Sequence, residues 1–307
     1  MQIVTLARHA MATRFELVLH GENAVALRAA GEEALEEIAR LENQLSLYRP
    51  GSEIAQLNAR AAYEAVRVTP ELFALLEHAQ RLHTETGGAF DITIAPLVRA
   101  WGFMGGTGKM PTSEEVTEAR AKVGMANVRL DATNHTVHFA RASVMLDLGA
   151  IGKGYAVERA AEILREAGVT NALIQGGTST VCAIGHPPDA ECWKVAIESP
   201  TSNPLPTVSL RDEALSISAV TGRAFKADGR FFGHVIDPRT GEPVSRALLS
   251  AVVLPSATET DALSTALLTL GADGHEQIAR LRANMRTLLV SPAGDGVCVE
   301  ARGFPSA

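Results

Sequence analysis

The stretch Asp147-Leu148-Gly149-Ala150-Ile151-Gly152-Lys153-Gly154-Tyr155-Ala156-Val157-Glu158-Arg159-Ala160 places three glycines within six positions. Before it, the apolar run Val144-Met145-Leu146 reads as a buried strand. After it, Ala156, Ala160, Ile163 and Leu164 recur at helical spacing. The predicted order is therefore strand, glycine turn, helix. Glycines let a ligand approach the backbone, and a helix N-terminus presents free N–H groups and a positive dipole end, so phosphate is one natural guest. The plainer reading is a tight strand-to-helix connection, and this stretch by itself leaves both open. It does not end in Gly-Lys-Ser/Thr, and its glycines do not follow Gly-x-Gly-x-x-Gly, so neither common nucleotide fingerprint applies.

The elements around this turn alternate between helix and strand. Residues 2–7 and 13–19 read as strands joined through His9-Ala10-Met11-Ala12-Thr13, and a helix follows from an Asn23 cap to about Asn43. Its apolar stripe is Ala26, Leu27, Ala30, Ala34, Leu35, Ile38 and Leu41. A Pro50-Gly51 break carries Tyr48 and Arg49, and a helical start follows at Ser52. A second helix opens at Thr69-Pro70 and stops at Gly87-Gly88. Thr112-Ser113-Glu114-Glu115 has the form of a capping box. Short strands are expected at 128–130 and 137–139, then at 171–175, 180–184, 193–197, 207–211, 214–218, 231–236 and 248–254. A last helix opens at Ala257.

Bulk properties narrow the function. The 307 residues bury a large core as one domain or as two packed lobes. Lysine and arginine number 28 against 35 acidic residues, a net charge of −7 with no basic stripe, which argues against nucleic acid as a partner. Cys182, Cys192 and Cys298 lack Cys-x-x-Cys spacing, so neither a zinc site nor a disulfide framework is expected. No apolar run approaches the ~18 residues of a membrane span, and the first residues do not form a signal sequence, so a cytoplasmic location is expected.

Three further stretches carry chemistry. Gly87-Gly88-Ala89-Phe90-Asp91 reads as a helix end followed by a buried strand, or as backbone and a carboxylate facing a flat ligand. His234-Val235-Ile236-Asp237-Pro238-Arg239-Thr240-Gly241 puts a histidine and an aspartate three apart at a strand-to-turn junction, where both can face one cleft. Asp261 and Thr265 share one helical face, as two oxygen ligands of a hard cation do; a surface acid and a back-bonded threonine is the plainer alternative.

Taken with the glycine turn, these stretches resemble the ApbE family, the FAD:protein FMN transferases. The likeness runs from Met11 to the Asp261 helix. It implies an α+β fold with a mixed, T-fold-like sheet and packed helices, a single large domain over residues 1–307, and FAD as substrate with Mg2+ near its diphosphate. The family moves FMN from FAD to a threonine or serine hydroxyl of an acceptor flavoprotein and releases AMP. By the resemblance, Met11, Tyr48, Ala89, Phe90, Asp91, Asp147, Lys153 and Ile236 contact FAD, while Ala150, Asp261 and Thr265 hold the metal. For the base that takes the hydroxyl proton, His234 with Asp237 is the best available pair. Two departures stand out: Gly176-Gly177-Thr178-Ser179 lacks the acidic residue that many relatives carry after the diglycine, and Ser216 to Gly222 is a loose form of the family's serine-glycine stretch. Hydrolysis of FAD to FMN and AMP, or flavin binding without chemistry, are the competing functions.

Overall fold

A computed structural model describes residues 1–201, 204–294 and 296–304. Strands β1 (Gln2–Ala10) and β2 (Thr13–Gly21) form a hairpin, followed by helices α1 (Ala24–Leu45) and α2 (Glu53–Arg60). Then come β3 (Val66–Arg67), α3 (Pro70–Glu85), α4 (Ala95–Ala100), α5 (Ser113–Arg120), β4 (Val128–Asp131), β5 (Thr136–Phe139) and α6 (Gly152–Glu166). The second half adds β6 (Asn171–Gly176), β7 (Thr180–Ile184), β8 (Trp193–Ala196), β9 (Thr207–Leu210), β10 (Ala214–Ala219), β11 (Ala224–Ala227), β12 (Arg230–Gly233) and β13 (Leu249–Leu254). Helices α7 (Ala257–Leu270) and α8 (Ala272–Ala279) and strands β14 (Arg286–Ala293) and β15 (Gly296–Arg302) close the chain. The α+β class expected from the sequence is the one observed.

Eight strands form one sheet in the order β1-β2-β6-β7-β10-β13-β14-β15, every neighbouring pair antiparallel. Alternation along each strand sends one set of side chains to each face. One face, with Leu17, Leu19, Ile174 and Val252, packs on α1, α6 and α7 through Ile38, Ala160, Leu164, Leu263 and Leu267. The other face, with Val181, Leu215, Ala251 and Val253, is covered by the β8–β9 hairpin through Trp193, Val208 and Leu210. A third apolar cluster, with Trp101, Phe103 and Phe232, joins α4 and α5 to the β11–β12 hairpin.

Local signals act as their chemistry demands. The Asn23 side chain accepts N–H donors from Val25 and Ala26 at the start of α1. Ser52 caps α2, Pro70 opens α3, and Thr112 and Glu115 complete a reciprocal capping box on α5.

Two expected strands are revised. Val144-Met145-Leu146 is buried but belongs to no strand. The Asn58 side chain acts as its partner, accepting from the Leu146 N–H at 2.7 Å and donating to the Leu146 carbonyl at 2.9 Å. An amide side chain offers one donor and one acceptor, so it satisfies the backbone of a segment too short to join the sheet. The strand expected at 231–236 ends at Gly233, and His234 to Asp237 leave it in an irregular path. There the only ladder contact among the described residues is an isolated bridge from Ile236 to Pro243.

Candidate functional site

The glycine turn is built by its own hydrogen bonds. Asp147 donates its N–H to the Ile92 carbonyl at 2.7 Å, and its Oδ1 accepts the Gly149 N–H at 2.8 Å. Gly152 N–H reaches back to the Leu148 carbonyl at 2.7 Å and starts α6. Gly154 is the third residue of α6, so its N–H has no partner within the helix, and it donates to Asp261 Oδ2 at 2.9 Å. A Cβ on Gly154 would lie 2.2 Å from the Ala257 carbonyl oxygen and 2.7 Å from Asp261 Cβ, so only glycine lets α6 and α7 approach this closely.

Asp261 is 3% exposed, with Lys153 Nζ 3.6 Å from its Oδ1. One turn further along α7, Thr265 Oγ1 lies 3.3 Å from the Asp261 carbonyl oxygen and 3.2 Å from Ser218 Oγ. A carboxylate, a hydroxyl and the carbonyl of Ala150, which precedes the cap of α6, make a hard-oxygen set. These residues fit magnesium. Among the described residues no group of three or more His, Cys, Asp or Glu side chains is placed to hold a metal ion, so backbone and hydroxyl oxygens would have to complete the set.

The same cleft, about 1100 Å³ in volume, is bordered by Ala89, Phe90, Asp91, Asp147, Ala150, Lys153, His234, Ile236, Asp261 and Thr265. Of the thirteen candidate positions, ten border this one cavity and Asp237 holds a neighbouring turn. Met11 and Tyr48 do not border it. Met11 has φ +50 at the β1–β2 turn, and its N–H donates to Glu42 Oε1 at 2.8 Å. Arg49, next to the 59% exposed Tyr48, binds Glu42 Oε2 at 2.7 Å. Glu42 therefore ties these two loops together. The start of β2, just after the Met11 turn, lies against the cleft: Gly177 borders the cleft, and a Cβ there would meet Thr13 Oγ1 at 2.3 Å.

Asp91 does not offer a free carboxylate to the cleft. Its Oδ1 accepts from Thr93 N–H at 2.7 Å and Thr93 Oγ1 at 2.6 Å. Its Oδ2 lies 3.2 Å from His83 Nδ1, which is equally 3.2 Å from the Phe90 carbonyl oxygen. Both partners of that nitrogen are acceptors, so Nδ1 carries the proton. Burial opposes charge on His83, yet the Asp91 bond and charge, with the Phe90 carbonyl, outweigh it and raise its pKa above 6.5. Asp91 thereby holds the bend that presents Ala89 and Phe90.

His234 is half-buried, with Nδ1 3.2 Å from the Arg223 carbonyl oxygen. Nδ1 therefore donates, and Nε2 keeps a lone pair. Burial, followed by the charge of Arg223 and more weakly that of Lys153, lowers its pKa below 6.5 despite the bond to the Arg223 carbonyl. The ring needs Gly222 beside it, since a Cβ there would sit 2.9 Å from His234 Cε1. Asp237 does not reach His234 through any hydrogen bond among the described residues. Its carboxylate accepts Arg239 N–H and Nε at 2.9 Å each and Nη2 at 2.7 Å, fixing the turn.

Asp147 is raised above the ordinary carboxyl value, first by burial, with the Gly149 N–H and the Arg223 charge opposing. Arg223 is a cleft residue that reading the sequence missed; one of its guanidinium nitrogens donates to the Phe103 carbonyl at 3.1 Å. Its one available signal was its place directly after Thr221-Gly222, in the stretch singled out only as a loose motif.

An antiparallel sheet that carries helices on one face, with a glycine turn and a set of hard oxygens converging on one cleft, defines the flavin transferase fold. The chain belongs to the ApbE family, whose sequence model matches residues 11–289. It resembles the FAD:protein FMN transferase of Haemophilus influenzae, at 28% identity over 96% of this chain and 88% of the relative. The enzyme of the same description from Treponema pallidum is 31% identical, over 88% and 79%. Among solved structures, the ApbE protein of Thermotoga maritima superposes with a TM-score of 0.88 at 28% identity, covering 97% of this chain and 96% of that one. The apo flavinyl transferase ApbE of Pseudomonas stutzeri gives 0.87 at 28% identity, over 98% and 94%.

Proposed function

We propose that this chain, an FAD:protein FMN transferase by family, moves FMN from FAD to a threonine or serine hydroxyl of an acceptor flavoprotein, releases AMP and depends on magnesium. The observation that supports this reading is convergence. One cleft of about 1100 Å³ gathers the glycine turn, the Asp261 and Thr265 oxygens, the Ala89 to Asp91 bend and His234. That volume lies just above the roughly 300–1,000 Å³ typical of small-ligand sites and suits a dinucleotide.

In this reading Ala150, Asp261 and Thr265 would hold magnesium, which would supply charge neutralisation at the diphosphate. Lys153 and Arg223 add positive charge on the same side of the cleft, and Phe90 and Ala89 offer an apolar wall for the flavin ring. His234 Nε2 takes the proton from the acceptor hydroxyl, whose oxygen bonds to the FMN phosphorus. The P–O bond to AMP breaks, and AMP leaves with the electron pair. Asp237 orders the turn that carries His234 and does not relay a proton. Met11 and Tyr48 lie on loops from which they reach the ends of an extended substrate.

The direct test is to follow AMP release and acceptor labelling with magnesium, with chelator, and in Asp261→Ala. The expected result is loss of turnover in the last two with the fold retained, because removing one side chain's partners at this helix face leaves the core intact. Full turnover in chelator, or in Asp261→Ala, would remove the metal from the account.

A further inference from the structure

Ser218 is the last but one residue of β10, and it borders the cleft together with Asp261 and Thr265. Strand alternation puts Ser216 and Ser218 on the face turned to α7, with Ile217 on the opposite face. The two serines meet α7 in a ladder of hydroxyls. Ser216 Oγ lies 2.9 Å from Thr260 Oγ1, and one step nearer the cleft Ser218 Oγ lies 2.9 Å from Ser264 Oγ and 3.2 Å from Thr265 Oγ1.

Counting protons along this ladder shows where the lone pairs point. Ser264 Oγ donates to the Asp261 carbonyl at 3.0 Å, so its proton is spent and it accepts from Ser218. The Ser218 proton is then committed to Ser264. Its remaining lone pairs face Thr265 Oγ1 and the cleft. Thr265 in turn has the Asp261 carbonyl within 3.3 Å as an acceptor for its own proton, which leaves its lone pairs free as well. Octahedral magnesium, with ligands at about 2.0–2.1 Å, sets adjacent ligand oxygens about 3 Å apart. The separation of 3.2 Å between Ser218 Oγ and Thr265 Oγ1 matches such an edge. The strand is held for this purpose: Ser250, opposite Ser218 across the β10–β13 pair, donates to the Ser264 carbonyl at 2.6 Å.

We propose that Ser218 is a further protein ligand of the cation, beside Thr265, so that the site draws on the sheet as well as on α6 and α7. The inference rests on the magnesium reading above. A neutral hydroxyl there adds an oxygen without adding charge, and it makes cation binding sensitive to how α7 sits on β10.

The test is binding of manganese(II) alone, followed by electron paramagnetic resonance, to the full chain and to Ser218→Ala, Ser218→Cys, Ser216→Ala and Asp261→Ala, with cadmium(II) titrated in parallel by calorimetry. The expected result is a manganese affinity lowered about 10-fold or more in Ser218→Ala, with Ser216→Ala at the parental value. Ser218→Cys should lose manganese affinity and gain cadmium affinity over the parental chain, because a thiolate ligand selects the softer ion. The parental chain, with Cys182, Cys192 and Cys298, sets the cadmium baseline. Unchanged manganese affinity in both Ser218 variants overturns the proposal. So does an equal loss in both without a cadmium gain, or an equal loss in Ser216→Ala, since each describes a packing role. No manganese site in the parental chain, or one indifferent to Asp261→Ala, is a different failure and takes the magnesium reading with it.

Discussion

His234 and Asp237 stand three residues apart, yet only the histidine borders the cleft, because the Asp237 carboxylate is bound to Arg239 within its own turn. In the proposed mechanism proton transfer therefore falls on His234 Nε2, with Nδ1 held by the Arg223 carbonyl. Replacing it, as His234→Gln, is expected to lower the transfer rate roughly 10²–10⁴-fold, the usual worth of a positioned base, with FAD affinity and thermal midpoint near parental. Single-turnover transfer and flavin fluorescence on one preparation separate these quantities, and a parental rate would exclude the base role. The pH dependence follows from the lowered pKa. A histidine that burial and Arg223 keep from protonating stays neutral to a pH below 6.5, so the acid limb of the transfer rate should fall below that value. A limb at or above 6.5 would mean that another group titrates. The residue types at this site were legible in the sequence, since His234, Asp261 and Thr265 each carry chemistry at a telling spacing. What each atom faces was not. The pairing of Asp91 with His83 and of Asp237 with Arg239 depends on bends that no periodicity encodes.

Helices α6 and α7 are locked to each other at their N-terminal ends. Gly154 donates to Asp261, and Glu158 of α6 accepts from Ser256 Oγ and from Thr258 N–H at 2.7 Å each, capping α7 from outside. Gly154→Ala would push a methyl group into the Ala257 carbonyl. It is expected to cost about 1–3 kcal/mol by overpacking and to displace Asp261, so that magnesium affinity falls together with stability. Chemical denaturation with a parallel metal titration measures both, and parental values for both would contradict this close contact. At the other side of α7, Glu259 meets His78 at 3.1 Å and Arg282 at 2.8 Å, while Arg282 also binds Glu85 of α3 at 2.7 Å. Burial works against the Glu259 carboxylate, but the bonds and charges of His78 and Arg282 win and bring its pKa down to about 2 from 4.5. A depressed carboxylate stabilises the fold above its unfolded pKa, so that contribution is complete above about pH 4.5 and is lost as pH falls toward 2. Glu259→Gln should cost about 1.5–3 kcal/mol at pH 7. It should also flatten the acid side of the stability curve, which urea midpoints between pH 7 and 3 would record. A mutant as stable as the parent at pH 7 would show that the cluster is merely solvated. Periodicity revealed these helices well, with Asn23, Ser52 and Thr112 marking starts that the structure uses. It failed at Val144 to Leu146, where a side chain, Asn58, replaces a neighbouring strand.

At the scale of the whole molecule, an eight-stranded antiparallel sheet carries helices on one face and a short hairpin on the other, and the cleft opens where α6, α7 and the irregular path after β12 meet. Helix and strand signals marked most elements, whereas the α+β class followed from the family resemblance, and the four motif stretches do come to one place. Their convergence itself is a product of crossovers, β2 beside β6 and β10 beside β13, that join residues far apart in the chain. No helix among the described residues is long and apolar enough to cross a membrane. Sequence similarity to the Haemophilus influenzae transferase runs through 96% of the chain. The central claim is transfer to a protein hydroxyl, and the competing outcome is transfer to water in the same cleft. Mass spectrometry of an acceptor flavoprotein incubated with this chain, FAD and magnesium decides between them, with AMP and free FMN quantified in the same sample. One FMN is expected on a threonine or serine for each AMP released, with little free FMN. AMP and free FMN formed in equal amounts, with the acceptor unlabelled, would contradict it.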